Sequence, residues 1–191
     1  MGLSNVGKTK TELGFRYGAI GLVVLQLAFL IASAAIPNWA DYKVSVLKQT
    51  VGLYKTCVIE YNGVSGELCE RYDGSQPTSL TVAAAMIPIA IIFQFLVGAL
   101  LILNIRKQAQ KFGYAAVALN TLTLAAIMTA IAFFVKAAHQ VGSEKFVDND
   151  RNVQDVEMLG YKGGFVLAIM AMLVGFVIEF FVARAAYLSE F

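Results

Sequence analysis

A chain of 191 residues is long enough for one soluble domain, yet 58% of it is hydrophobic and only 15% charged, where soluble domains carry about 25% charge. The net charge of +2 leaves no basic footprint of the kind nucleic acid requires, and the apolar excess argues against a soluble core. Four apolar stretches hold that excess, at 17–36, 82–105, 112–135 and 163–183. Each has about the 20 residues that an α-helix needs to cross a hydrocarbon core roughly 30 Å thick.

The first stretch follows a tail holding Lys8, Lys10 and Arg16 against the single acid Glu12. Ala32-Ser33-Ala34 near its end fits a signal-peptidase site, but the apolar run is longer than a signal core, so it reads as a retained helix. The long connection at 37–81 then turns from helix-friendly to strand-friendly composition. Tyr42, Val44 and Val46 alternate with Lys43, Ser45 and Leu47, the period-two signal of one strand. Gly52 breaks the run, Tyr54–Tyr61 reads as the next strand, and Asn62-Gly63 is a strong hairpin signal because both residues tolerate positive φ. Glu67–Tyr72 returns.

Cys57 and Cys69, the only two cysteines, both fall in this connection. On the oxidising side of a membrane they are expected to pair. A two-residue turn at Asn62-Gly63 would set Cys57 opposite residue 68, so pairing with Cys69 requires one extra residue, for which Ser65-Gly66 offers a bulge. A sheet of three or four strands would be marginal without such a staple. A redox role is not expected, because eleven residues separate the cysteines in place of a Cys-x-x-Cys spacing.

Pro88 is expected to kink the second stretch. The short connection after it holds Arg106, Lys107 and Lys111 with no acid. His139 follows the third stretch with no metal-ligand partner in the sequence and reads as a solvated residue. Both long connections, 37–81 and 136–162, carry four bases and five acids. Two basic segments alternating with two balanced ones place both termini in the cytoplasm by the positive-inside rule. The terminal Ser189-Glu190-Phe191 fits the pattern of a PDZ ligand, although Glu-Phe is also a common cloning remnant. Neither an N-glycosylation site nor a cytoplasmic cysteine for palmitoylation occurs.

Trp39, Gly52-Leu53-Tyr54, Cys57 and Cys69 stand in the order of a known signature. In these residues the chain resembles the claudin superfamily of tetraspan membrane proteins, whose first outer loop carries Trp, then Gly-Leu-Trp, then two cysteines. The residue-level match is confined to the first outer loop, and Tyr54 replaces the second tryptophan. The resemblance implies an all-α four-helix transmembrane bundle with a small extracellular antiparallel β-sheet, in one domain over 1–191. Departures are the missing Asn-Pro-Leu-like segment in the second outer loop, no arginine just before the second span, and a short tail.

Each apolar stretch carries a polar residue that reads as buried: Gln26, Gln94, Asn120 and Glu179. Counting ~1.5 Å per residue sets Gln26 level with Gln94, and Asn120 level with Glu179. Each pair is expected to be bridged between helices, because an unpaired polar side chain in hydrocarbon is costly; the alternative for Glu179 is a place at the interface beside Arg184. Small residues recur as well, among them Gly14, Gly18, Gly21, Gly98, Ala115, Ala118, Ala125, Gly163, Gly164 and Gly175, and packing within the bundle is their expected use.

No nucleophile–base set, metal-ligand cluster or cofactor motif occurs, so neither an enzyme nor a cofactor is expected. The resemblance implies a junctional adhesion or barrier protein at the plasma membrane, with lipids and further claudin-like chains as partners. Glu60, Glu67, Glu70 and Asp73, against the single base Arg71, would then form an acidic, cation-favouring surface. The alternative within the superfamily is an auxiliary subunit of a channel or receptor.

Overall fold

Stretches without a polar face become long helices, since a helical backbone satisfies its own hydrogen bonds. The computed structural model describes residues 3–44, 47–61, 63–72, 76–107, 110–143, 145–147 and 153–188. Helix α1 covers Leu3–Ala35, α2 Thr78–Lys107, α3 Gln110–Ser143 and α4 Gly163–Leu188. Each contains a segment long and apolar enough to cross a membrane. Helix α1 packs on α4 and α2, α2 on α3, and α3 on α4, which closes a four-helix bundle.

Seven strands lie among the described residues: β1 (Ala40–Val44), β2 (Leu47–Val51), β3 (Lys55–Tyr61), β4 (Val64–Arg71), β5 (Lys145–Val147), β6 (Val153–Asp155) and β7 (Glu157–Tyr161). A five-stranded antiparallel sheet runs β4-β3-β2-β1-β7, and β5 pairs with β6 separately. Two sequence expectations change here. The stretch at 42–47 read as one strand is the close of a hairpin, with Val44 opposite Leu47. In addition, the second connection, taken as a loop, continues α3 to Ser143 and supplies β7 to the sheet.

Side chains alternate between sheet faces, and cross-strand partners share a face. Tyr42, Ala40 and Val51 share the face that meets the bundle core. The Tyr42 hydroxyl donates to the Ala138 carbonyl at 3.2 Å. This contact explains the extension of α3 beyond its apolar stretch, since Ala137 and Ala138 are buried there.

Within the bundle the apolar core is split in two. One cluster, at the sheet end, includes Leu30, Ala90, Ile127, Phe134, Ala171 and the buried residues of the sheet's foot. The other, at the opposite end, includes Val23, Val97, Ala116 and Ile178. Between them each helix contributes a polar or empty position: Gln26, Gln94, Asn120 with Thr123, and Gly175.

Candidate interaction surface and polar layer

The chain turns out of α1 into the sheet around Trp39. Its ring is fully buried and packs on Phe134 (4.8 Å between centroids) and Phe165 (6.0 Å). Trp39 Nε1 donates to the Ser33 carbonyl at 2.8 Å, and the Ser33 hydroxyl donates to the Gly164 carbonyl at 2.8 Å. A Cβ at Gly164 would overlap the indole, so glycine there lets α4 approach. Asp41, almost fully buried, is held by Lys162 at 3.3 Å, a further tie between β1 and the start of α4.

The Gly52-Leu53-Tyr54 turn seats the other side of the sheet. A Cβ at Gly52 would lie 2.7 Å from the Pro37 oxygen, which leaves room only for glycine. Leu53 is buried in the core, and the Tyr72 hydroxyl donates to the Gly52 carbonyl at 3.0 Å. Tyr54 donates from its hydroxyl to the Ala84 carbonyl at 2.9 Å. Ala84 lies four residues before Pro88 in α2. Proline has no N–H to offer the carbonyl four residues back, so Tyr54 satisfies the acceptor that Pro88 strands. The tyrosine that departs from the Gly-Leu-Trp pattern therefore has a bonding reason that an indole N–H would have to meet from a different reach. Burial raises the hydroxyl pKa of both Tyr54 and Tyr72; for Tyr72 the neighbouring Tyr42 adds to it. Tyr42 itself is pushed up to about 12 by burial, with Tyr161 contributing.

Cys57 and Cys69 are directly opposed and disulfide-bonded. Tyr61 faces Val64 across the turn, with Gly63 at φ 76°, and Asn62 lies outside the described residues. The register then gains one residue on β4, because Glu60 faces Ser65 while Val58 faces Leu68. Glu67 Oε1 lies 3.4 Å from the Cys69 sulfur. Cys57, Glu67 and Cys69 are close enough to suggest a metal set, but both sulfurs are committed to the S–S bond.

The acidic surface expected from the sequence does not form as one surface. Glu67 shares the disulfide face, whereas Glu70, opposite Thr56, is on the other. Glu60 is paired across β2 with Lys48, whose own β1 partner is Lys43. Lys55 faces Arg71 on the disulfide face as well. That face therefore carries at least as many bases as acids. Asp73 lies outside the described residues.

The opposite face is apolar at its far end. Leu47, Val58, Tyr61, Val64 and Leu68 line a shallow groove there, with Gly66 and Glu67 at its rim. Tyr61, Val64 and Leu68 are 59%, 71% and 67% exposed. Every residue of β4, one of the two edge strands, is exposed. The sequence concealed this patch because its residues come from three strands and share a face only once the β3 and β4 irregularities are in place.

The four intramembrane-type polar residues divide into two behaviours. Asn120 Nδ2 donates to Glu179 Oε2 at 2.6 Å and to the Gly175 carbonyl at 3.1 Å. A carbonyl only accepts, so the Gly175 contact fixes which way the amide points. Thr121 adds a donor to Glu179 Oε1 at 2.8 Å. Gln26 and Gln94 are fully buried but are not joined, and neither carboxamide has a hydrogen-bond partner among the described residues. Equal depth does not give equal azimuth: Gln26 turns to α4, its Nε2 within 2.7 Å of where a Gly175 Cβ would stand. At the end away from the sheet, Arg16 donates to the Asn104 carbonyl at 3.3 Å, a cation against the C-terminal end of α2. His139 is exposed, and residues 189–191 lie outside the described residues.

No model of a known protein family matches the chain, and no curated protein matches it.

Proposed function

We propose that the chain is an integral membrane protein crossing the bilayer four times, with both termini cytoplasmic and the sheet outside the plasma membrane. In this reading it is a claudin-like structural protein of cell–cell contacts, joining further copies through the sheet. The observation that carries the reading is the division of labour in the sheet. Its foot is buried by Trp39, Tyr42 and Leu53, while Tyr61, Val64 and Leu68 are exposed on a disulfide-stapled hairpin and add nothing to the chain's own core. An exposed apolar patch on a rigid support is a mark of an association surface. The basic connections at one end of the bundle and the balanced ones at the other support the orientation. The balance of charge on the disulfide face gives no support to a cation-selective path.

The test is the distribution of the tagged chain in a cell line that forms contacts. Enrichment at borders between two expressing cells is the expected result; an even distribution over the whole plasma membrane would sink the reading. The auxiliary-subunit reading is favoured by one specific observation, the reach of the Glu179 carboxyl to the outward surface of the bundle beside exposed Thr121. Co-purification with a channel or receptor in mild detergent would decide for it.

A further inference from the structure

The end of α1, the foot of the β3–β4 hairpin and the start of α2 enclose a cleft of about 610 Å³. Ala34, Pro37 and Ala84 line it from the bundle, and Leu53 adds to this apolar wall. Ala34 lies one residue before the end of α1, and Ala84 lies six residues after the start of α2, about 9 Å inside it at the usual rise. From the sheet the cleft is lined by Lys55 and Arg71. It therefore joins the apolar ends of two helices long enough to cross a membrane to a pair of cations.

Lys55 and Arg71 are directly opposed on β3 and β4, and like charges so placed repel. Among the described residues neither is matched by a carboxylate. Asp41 is held by Lys162, and Glu70 is on the other face of the sheet. Glu67, the next acid along their own face, is four residues from Arg71, about 13 Å at the strand rise. Gln76 also lines the cleft, and its Oε1 is buried without a partner while Nε2 donates to the Thr81 hydroxyl at 3.3 Å. A hydroxyl can accept or donate, so whichever amide atom turns from Thr81 is left with an unmet bond. The Tyr54 and Tyr72 hydroxyls, in the same lining, are spent on the Ala84 and Gly52 carbonyls.

We propose that this cleft binds a glycerophospholipid of the outer leaflet, its phosphate between Lys55 and Arg71 and its glycerol and first chain carbons against Leu53, Pro37 and Ala84. The proposal rests on the four-span membrane reading above, not on the junctional role. A headgroup layer is roughly 5–7 Å deep, so a cleft that reaches Ala84 passes through it into hydrocarbon. The phosphate forms charge-assisted contacts with both basic side chains and relieves their repulsion. A free phosphate shares that chemistry but would leave the apolar wall in water.

The test is native mass spectrometry of the full chain in neutral detergent, titrated with phosphatidylglycerol or with diacylglycerol of the same chains. Phosphatidylglycerol should fill one site roughly thirtyfold more tightly, the combined effect of two basic groups on an acidic headgroup. Lys55→Gln with Arg71→Gln should remove that preference without lowering the thermal midpoint, since it relieves a like-charge pair. Lys43→Gln with Lys48→Gln, cations of the same sheet outside the cleft, should leave the preference intact. Glycerol phosphate, the same head without chains, should not displace the lipid at equal concentration; displacement would mean a free-phosphate site and overturn the lipid assignment. Equal binding of phosphatidylglycerol and diacylglycerol to the unaltered chain would overturn the proposal and leave the membrane reading standing. An equal loss of preference in the two double variants would overturn it as well. Release of the chain from alkali-washed vesicles would overturn the membrane reading and this proposal with it.

Discussion

The foot and the tip of the sheet are built from the same alternation of residues but are stabilised by opposite means. At the foot, Trp39, Ala40, Tyr42 and Leu53 are buried in the bundle core, and hydroxyls and an indole N–H close backbone carbonyls at Ser33, Ala84 and Ala138. At the tip, β4 is exposed along its whole length and the hairpin rests on β2 and the Cys57–Cys69 bond. Burial holds the foot; a covalent loop holds the tip. The difference teaches where substitutions should act on folding and where on association.

The largest effect is expected at the foot. Trp39→Ala removes the ring wedged between Phe134 and Phe165 and should cost about 3–5 kcal/mol, read as a fall in thermal midpoint in detergent with loss of sheet signal by circular dichroism. Reduction of the disulfide, or Cys57→Ser with Cys69→Ser, should cost about 3 kcal/mol by the chain-entropy account. Loss confined to β3 and β4, seen as hydrogen exchange rising there while β1 stays protected, would sharpen the comparison; equal loss in β1 would break it.

A pH effect of comparable size belongs to Tyr42. Its folded pKa of about 12 lies above the ordinary value near 10. For an acid with a raised folded pKa the folded state holds the proton more tightly, so the contribution is intact below pH ~10 and is lost as pH rises toward ~12. The loss should be on the order of 2–3 kcal/mol. Trp39 is the only tryptophan, so its emission reports the event directly. Tyr42→Phe should remove its share of that alkaline loss, leaving the shares of Tyr54 and Tyr72, while slightly lowering stability at neutral pH. A smaller effect is expected at Tyr54→Phe, which leaves the Ala84 carbonyl without its donor and should cost about 1 kcal/mol. Combining it with Pro88→Ala, which restores an N–H, should recover most of that loss.

Much of this arrangement could be read in advance, and the exceptions have physical reasons. The four long helices follow from uninterrupted apolar stretches, and the turn at Gly63 follows from residues that accept positive φ. The β1–β2 hairpin was hidden because Ser45 and Val46 carry no turn chemistry and the alternation runs straight through them. Strand β7 was hidden because its pairing with β1 is long-range. The acids Glu67 and Glu70 looked like one surface because three residues of spacing do not reveal that odd intervals change face. Gln26 and Gln94 share a depth but not a direction, which is set by the gap at Gly175 on another helix.

The tip gives the most direct test of the central claim that foldedness and association reside at opposite ends of the sheet. Val64→Lys with Leu68→Lys replaces two exposed residues that add little to the core, so the thermal midpoint should shift by no more than about 0.5 kcal/mol equivalent. In the same preparation, cross-linking between copies in the membrane should fall sharply. Unchanged cross-linking, or a loss of stability like that of Trp39→Ala, would contradict the account.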